Sequence, residues 1–299
     1  MSGKLKEVRE RISSVNKTQQ ITKAMKMVAA ARLRKAQQAI QQMRPYADKQ
    51  QQMLVNILSN LEGDIDTKFG EVREISKACI VVITSNRGLC GAFNTNVIKA
   101  ARTIIEEKYA KAFEEGNLTV LPIGKKSYDF FRKNYADKVR INNDYVLLFN
   151  DLSFDQVAKV SNLLMQQFEA ENFDAIEVAY GHFRNVVTQT PVVEQFLPVS
   201  KIVSEDGATK AKADYLFEPD KVSLLAYLIP SILQTQFYKY VLDTQASEHG
   251  ARMTAMDNAT TNAEELIKEL KVTYNKARQE AITKEISEIV GGAAALVDA

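Results

Sequence analysis

Few residues here have reactive side chains. The chain of 299 residues holds two cysteines, Cys79 and Cys90, and two histidines, His182 and His249. Two cysteines exclude a disulfide scaffold and a cysteine-rich zinc site, and they suit a reducing compartment. The histidines lie far apart in sequence and give little material for a His-based metal or catalytic centre. Gly88-Leu89-Cys90-Gly91 follows a strand-like run and precedes a helical stretch, where a phosphate loop would sit. It is neither G-x-G-x-x-G nor a loop ending in Lys-Ser/Thr. No acidic residue closes the second strand-like run to hold a ribose. Two readings of the turn stay open, a nucleotide site and a structural strand-to-helix turn. Cys90 reads as a thiolate at a helix N-terminus or as a small structural residue. His182 reads as a strand-end surface or packing residue. His249, beside Gly250, reads as a solvated or interfacial helix residue. Pairs such as Glu106-Glu107 and Glu264-Glu265 read as solvated helix faces. Nothing assembles a nucleophile, a base and oxyanion donors. The expectation is a chain with no catalytic residue, cofactor or metal of its own.

Charge gives a louder signal. Lys plus Arg number 39 and Asp plus Glu 37, a net charge of +2, so the chain is not a globally basic nucleic-acid binder. The distribution is lopsided. Residues 1–62 carry 12 basic and 4 acidic side chains, and from Arg11 to Ala47 there is no acid at all. Lys23, Lys26, Arg32, Arg34 and Lys35 stand in that stretch. A solvated helix ordinarily mixes both signs for i,i+4 pairing. An all-basic face suits an anionic partner: nucleic acid, a membrane surface or an acidic protein loop. Without interleaved aromatics it is a poor single-strand binder. Its apolar stripe is committed to a helix partner, which argues against lying on a membrane. An acidic protein partner fits best, with an unpartnered solvated face as the alternative.

The elements that position these residues fall into three zones. Helix formers and apolar residues at Leu5, Val8, Ile12 and Val15, then Ile21, Met25 and Val28, predict one helix from about 4 to about 60. Pro45 is a candidate kink. Residues 76–200 alternate: strands at 78–84 and 118–124, helices over 92–108, 125–135 and 154–171, a short strand at 145–149, and strands at 175–183 and 192–199. That pattern predicts an α/β domain with helices on both sheet faces. After about 210 the chain reads as helical to its end. Pro230 is expected to kink or interrupt it and Gly250 to weaken it. The stripe there runs Met253, Met256, Ala259, Ala263, Leu266, Leu270, Tyr274 and Ala277, then Ile282, Ile286, Ile289, Ala293 and Leu296. The small-residue end, Val290 to Leu296, reads as a frayed terminus or as a slim apolar peg in a sleeve of other chains. At 1.5 Å per residue the terminal helices would be ~80 Å and ~110 Å long. Each has one apolar seam, so the expected fold is α/β plus long helices: an antiparallel coiled coil of the N- and C-terminal helices with a Rossmann-like α/β domain inserted between them. The expected divisions are 1–62, 63–205 and 206–299.

Four motifs carry a family resemblance. They are Ile21 to Ala30 (ITKAMKMVAA), Thr84 to Asn94 (TSNRGLCGAFN), Ala246 to Met256 (ASEHGARMTAM) and Ile282 to Ala294 (ITKEISEIVGGAA). In this order they resemble the γ subunit of F-type ATP synthases. Asn86 stands where that family has Asp, and His249-Gly250 makes a softer helix segment than the family's. The resemblance implies a central rotor shaft inside a ring of three α and three β subunits, whose nucleotide sites do the catalysis. Proton flow turns a c-subunit ring, the shaft turns with it, and the β subunits pass through open, loose and tight states. ATP hydrolysis drives the reverse. Lys23, Lys26, Arg32, Arg34 and Lys35 would face acidic loops of the β subunits. Arg278 and Gln279 match positions that hydrogen-bond a β catch loop, with Thr283 one turn from Gln279. Arg252 matches another β-facing site. The C-terminal tip would sit in an upper bearing. The segment 213–219, with Tyr215, resembles the foot beside the c ring and the ε subunit, and the α/β domain would also dock ε. Its nucleotide-binding look would then be fold without function.

The resemblance further implies no nucleic-acid partner and contact with the membrane only through the complex, at the cytoplasmic face of a bacterial inner membrane. Residues 1–12 carry no apolar signal-peptide core, and no plastid-type cysteine insert is evident. Two rivals make different forecasts. An α/β nucleotide enzyme with helical arms would bind nucleotide near Gly88 and Gly91. A coiled-coil arm gripping RNA would bind it with steep salt dependence.

Overall fold

Ala78 to Ile83 is apolar without a break and buried on both faces, as a central parallel strand requires. This strand, β1, sits in the middle of a five-stranded sheet in a computed structural model that describes residues 3–59, 68–186, 188–199 and 221–297. The chain order is α1 (Gly3–Ser59), β1 (Ala78–Ile83), α2 (Phe93–Glu107), α3 (Ala110–Glu114), β2 (Leu118–Ile123), α4 (Lys125–Tyr135), β3 (Arg140–Ile141), α5 (Phe154–Glu169), β4 (Ala175–Phe183), β5 (Gln189–Leu197) and α6 (Lys221–Val297). Sheet order is β3-β2-β1-β4-β5. The first four strands are parallel and β5 closes an antiparallel hairpin with β4.

Contacts divide the chain into two compact units, residues 1–29 with 253–299, and residues 30–252. The sheet's unit thus includes helical turns at 30–59 and 221–252 that the sequence divisions assign to the terminal helices.

In the sheet's unit, side chains alternate between two cores. Cys79, Val81 and Ile83 point into one, with α5 (Val157, Leu164, Phe168) and α6 (Phe237, Tyr240, Val241). Ala78, Ile80 and Val82 point into the other, with α2 (Val97, Ala101, Ile105) and Phe131 of α4. Fully burying such side chains contributes about 1.5–3 kcal/mol each. Leu33 and Ala36 of α1 pack with Ala246 of α6.

One local expectation fails here and two are qualified. Residues 145–149 form a turn and a 3₁₀ segment, Leu148–Asn150, rather than a strand. Val146 and Leu148 are buried, so a short apolar run marked burial and not extension. Pro230 lies inside the continuous helix α6 and so does not interrupt it. Gly250 lies inside the same helix at a tight contact, where a Cβ would lie 3.3 Å from Gln189 Nε2 and 3.4 Å from Phe183. The missing side chain lets the β4–β5 hairpin approach the helix.

In the other unit α1 and α6 run antiparallel. Lys4 meets Glu280, Gln19 meets Glu264, Thr22 meets Thr260 and Lys26 meets Asp257, so one partner retreats as the other advances. The buried positions of α1 here are Leu5, Val8, Thr22 and Ala29, with Ile12, Val15, Gln19 and Lys26 half-buried. Those are steps of three and four, a heptad seam. The expected continuation fails at two of its three positions: Met25 is half-buried, but Ile21 is 59% exposed and Val28 55%. Following only apolar residues jumps faces, because the seam passes through polar Gln19, Thr22 and Lys26, each satisfied by a polar partner on α6. On α6, Met256, Ala263, Leu270 and Ala277 are buried as expected, and Ile267 takes the place of Leu266. Ile282, Ile286 and Ile289 are exposed, against expectation. Helix α1 begins at Gly3, opposite Glu280, so among the described residues no turn of α1 lies alongside them.

Candidate functional site

In an open parallel sheet, ligands bind outside the carboxyl ends of the strands. At that end of β1 the backbone turns through Thr84, Ser85 and Asn86. The first amides of α4, which would cradle a phosphate, are taken by this turn. Lys125 N donates to Asn86 Oδ1 (3.2 Å), Lys126 N to the Ser85 carbonyl (3.2 Å) and Ser127 N to Thr84 Oγ1 (2.9 Å). Gly124 precedes them at φ +102°, and a Cβ there would collide with the Thr84 carbonyl at 2.1 Å. Strand and helix therefore close on each other, and the chain's own acceptors stand where a ligand's phosphate would.

Near the carboxyl end of β4, helix α6 fills the crevice. The Gly181 amide donates to Thr244 Oγ1 (3.3 Å), and the Gly181 carbonyl accepts from Ser247 Oγ (2.9 Å). His182 Nδ1 lies 3.0 Å from Asp243 Oδ2. Arg252 ion-pairs with Glu248 and donates to the carbonyls of Arg87 (3.1 Å) and Gly88 (3.2 Å) on the turn after β1. The turn is braced from below as well: Ser85 Oγ donates to the Arg87 carbonyl, and Asn94 Oδ1 accepts from the Ser85 amide. Leu89 sits at its tip in the left-handed region, φ +61°, and is 65% exposed.

Burial sets the electrostatics. It raises Asp243 above the ordinary carboxylate range, against the pull of His182. It raises Glu248 too, against the pull of Arg252 and Arg32. Burial first, then the Arg252 and Arg32 cations, lower His249 to about 4, so it is neutral near neutral pH. His249 is 5% exposed, not the solvated residue that was one sequence reading. Burial pushes the Cys79 thiol up to about 12 and also raises Cys90, so the helix-terminus thiolate gives way to a buried thiol. Cys90 Sγ lies 3.2 Å from Asn94 Nδ2. Among the described residues no group of three or more His, Cys, Asp and Glu is placed to hold a metal ion, and no helix is long and apolar enough to cross a membrane.

The candidate partner residues are distributed as follows. Lys23, Arg32, Arg34 and Lys35 are exposed along α1. Lys26 is half-buried and paired with Asp257. Arg278, Gln279 and Thr283 are exposed on α6. The Arg252 side chain is 11% exposed and is engaged by its own chain. Tyr215 and the segment 213–219 lie outside the described residues. Sequence reasoning missed Asp243, Thr244, Ser247 and Glu248. Their signal was present, since polar residues at i, i+1, i+4 and i+5 interrupt an apolar helix.

Fold and site define a class. This is a protein combining a two-helix antiparallel coiled coil with a doubly wound sheet whose ligand crevice is filled by its own helix. A family model described as ATP synthase matches residues 4–296. The ATP synthase gamma chain of Cytophaga hutchinsonii is 50% identical over 98% of both chains, and that of Flavobacterium psychrophilum 51% over 98% of both. A chain in the Euglena gracilis mitochondrial ATP synthase structure of OSCP, F1 and c ring shares the fold, with a TM-score of 0.63 over 99% of this chain and 95% of that one, at 23% identity. The chain belongs to the ATP synthase gamma-chain family.

Proposed function

We propose that the chain is the central rotor shaft of a bacterial F-type ATP synthase. It carries torque between a proton-driven c ring and the catalytic sites of an α3β3 head. Near-full-length identity of about half to bacterial gamma chains is the observation that carries this reading. The chain does no chemistry itself; nucleotide is turned over on the β subunits. The filled crevice at the strand ends favours this over the nucleotide-enzyme rival. The shaft works at the cytoplasmic face of the inner membrane and reaches the membrane only through the complex.

An antiparallel pair resists bending and twisting better than one helix. Rotation acts on the head only if the shaft's surface differs around its circumference, because differential contact shifts conformational populations. Lys23, Arg32, Arg34 and Lys35, each exposed on α1, offer cations to acidic loops of the β subunits. Such pairs are individually worth about 1 kcal/mol or less, which lets them exchange as the shaft turns. Arg278, Gln279 and Thr283 meet a β catch loop, and the C-terminal tip beyond exposed Ile282, Ile286 and Ile289 enters the upper bearing. The foot around Tyr215 and the α/β domain meet the c ring and ε. The test is ATP hydrolysis by this chain alone, by α plus β, and by all three together. The shaft reading expects an inert chain that turns α plus β into a fast multi-site ATPase. Hydrolysis by the chain alone, or no effect on α plus β, overturns it.

A further inference from the structure

We infer that Thr244, Ser247 and Arg252 form a torsional clasp, positioning residues that fix the angle of α6 against the sheet so that helix and sheet turn as one body. The inference deepens the rotor reading and rests on it, because an angular lock matters only in a chain that bears torque.

Strand β1 pairs with β4 as far as Val82 opposite Ala179 and ends at Ile83. Two residues further along β4, both backbone groups of Gly181 are engaged by hydroxyls of α6. Helix side chains thus extend the ladder where β1 has stopped. A Cβ on Gly181 would lie 2.5 Å from the Phe93 ring and 3.2 Å from Ser247 Cβ, so only glycine lets the helix come this close. Five residues beyond Ser247, about 7–8 Å along the helix, Arg252 grips the Arg87 and Gly88 carbonyls at the end of β1.

The helix is therefore tied at two stations, one on strand β4 and one on the turn after β1. Apolar packing of Phe237 and Tyr240 holds helix and sheet together but is non-directional. Hydrogen bonds aimed from one side of the helix oppose its rotation about its own axis. Thr244 and Ser247 are fully buried, where no water competes for these bonds.

The test uses the near-isosteric double variant Thr244→Val with Ser247→Ala in the assembled ATP synthase. One readout is hydrogen exchange at the Gly181 amide, expected to quicken about tenfold. The other is the angular fluctuation of a probe on exposed Lys133 with the coiled coil held in a stalled head. Its variance is expected to grow about twofold as the directional bonds are lost. Ser247→Thr, which keeps a hydroxyl, is expected to restore the wild-type width. Unchanged angular width in the double variant overturns the clasp and leaves these hydroxyls as a mere seal. If the double variant does not assemble, Ser247→Ala and Arg252→Lys singly are each expected to show part of the broadening, and no broadening in either overturns the proposal. A wild-type complex that never rotates means the rotor reading has failed. Gly181 exchange in the isolated chain then decides the clasp, with an unchanged rate in the double variant counting against it.

Discussion

At the residue scale, the buried groups around Arg252 give the chain an acid-sensitive point. His249 is held down at about 4 by burial and two arginines, whereas in the unfolded chain it titrates near 6.5. The unfolded state therefore binds more protons between those values, and His249's contribution is present above 6.5 and lost as pH falls toward 4. Raised Glu248 and Asp243 act in the opposite sense, gaining stability on acidification. His249→Gln removes only the first effect. Its thermal midpoint is expected to fall less than wild type's between about pH 7 and about pH 5. An equal fall in both proteins would sink the assignment. Cys79 and Cys90 are expected to resist thiol reagents until the chain unfolds, because both are buried with raised pKa values. Rapid labelling of either in the folded chain would contradict their placement. Composition already declined to assemble a catalytic centre here. It did not reveal that Thr84, Ser85 and Asn86 occupy the α4 amides, because that depends on how strand and helix close in space.

At the element scale, helix α1 shows why a pattern of apolar residues misleads within a correct fold. The long helix, its bounds and its antiparallel partner were legible from periodicity. The phase was not, because Gln19, Thr22 and Lys26 hold seam positions that a hydrophobic count skips. Their partners on α6 lie more than 200 residues away in sequence. Likewise the run Tyr145 to Phe149 looked like a strand because burial alone makes a segment apolar. The two parts of the α6 stripe now predict opposite outcomes. Leu270→Ala is expected to cost about 2–5 kcal/mol in chemical denaturation, as a buried seam residue. Ile286→Gln is expected to change stability by about 0.5 kcal/mol or less, as an exposed one. Equal costs would mean that the exposed stretch is packed after all. Lys26 is a poor probe of partner binding, since reversing its charge also sets it against Glu or Asp neighbours such as Asp257.

At the scale of the whole molecule, the fold class could be argued from zone lengths and alternation, and the family from four motifs. The filling of the crevice by α6 could not, since it joins β4 to a helix more than sixty residues later. Two variants probe the working surface. Arg278→Ala with Gln279→Ala is expected to lower ATP synthesis by the assembled complex much more than it lowers assembly; normal synthesis would remove the catch-loop role. Lys23→Glu, at an exposed site with no ion pair in the described structure, is expected to weaken proton pumping at moderate ionic strength and less so at high salt. Pumping equal to wild type would count against the acidic-loop contact. The most direct measurement is to fix the α3β3 head to a surface, attach a probe to Lys133 on the sheet's unit, and supply ATP. The account predicts stepwise rotation in one direction that stops when ATP is withdrawn. A probe that stays fixed while the head hydrolyses ATP at full rate would contradict it.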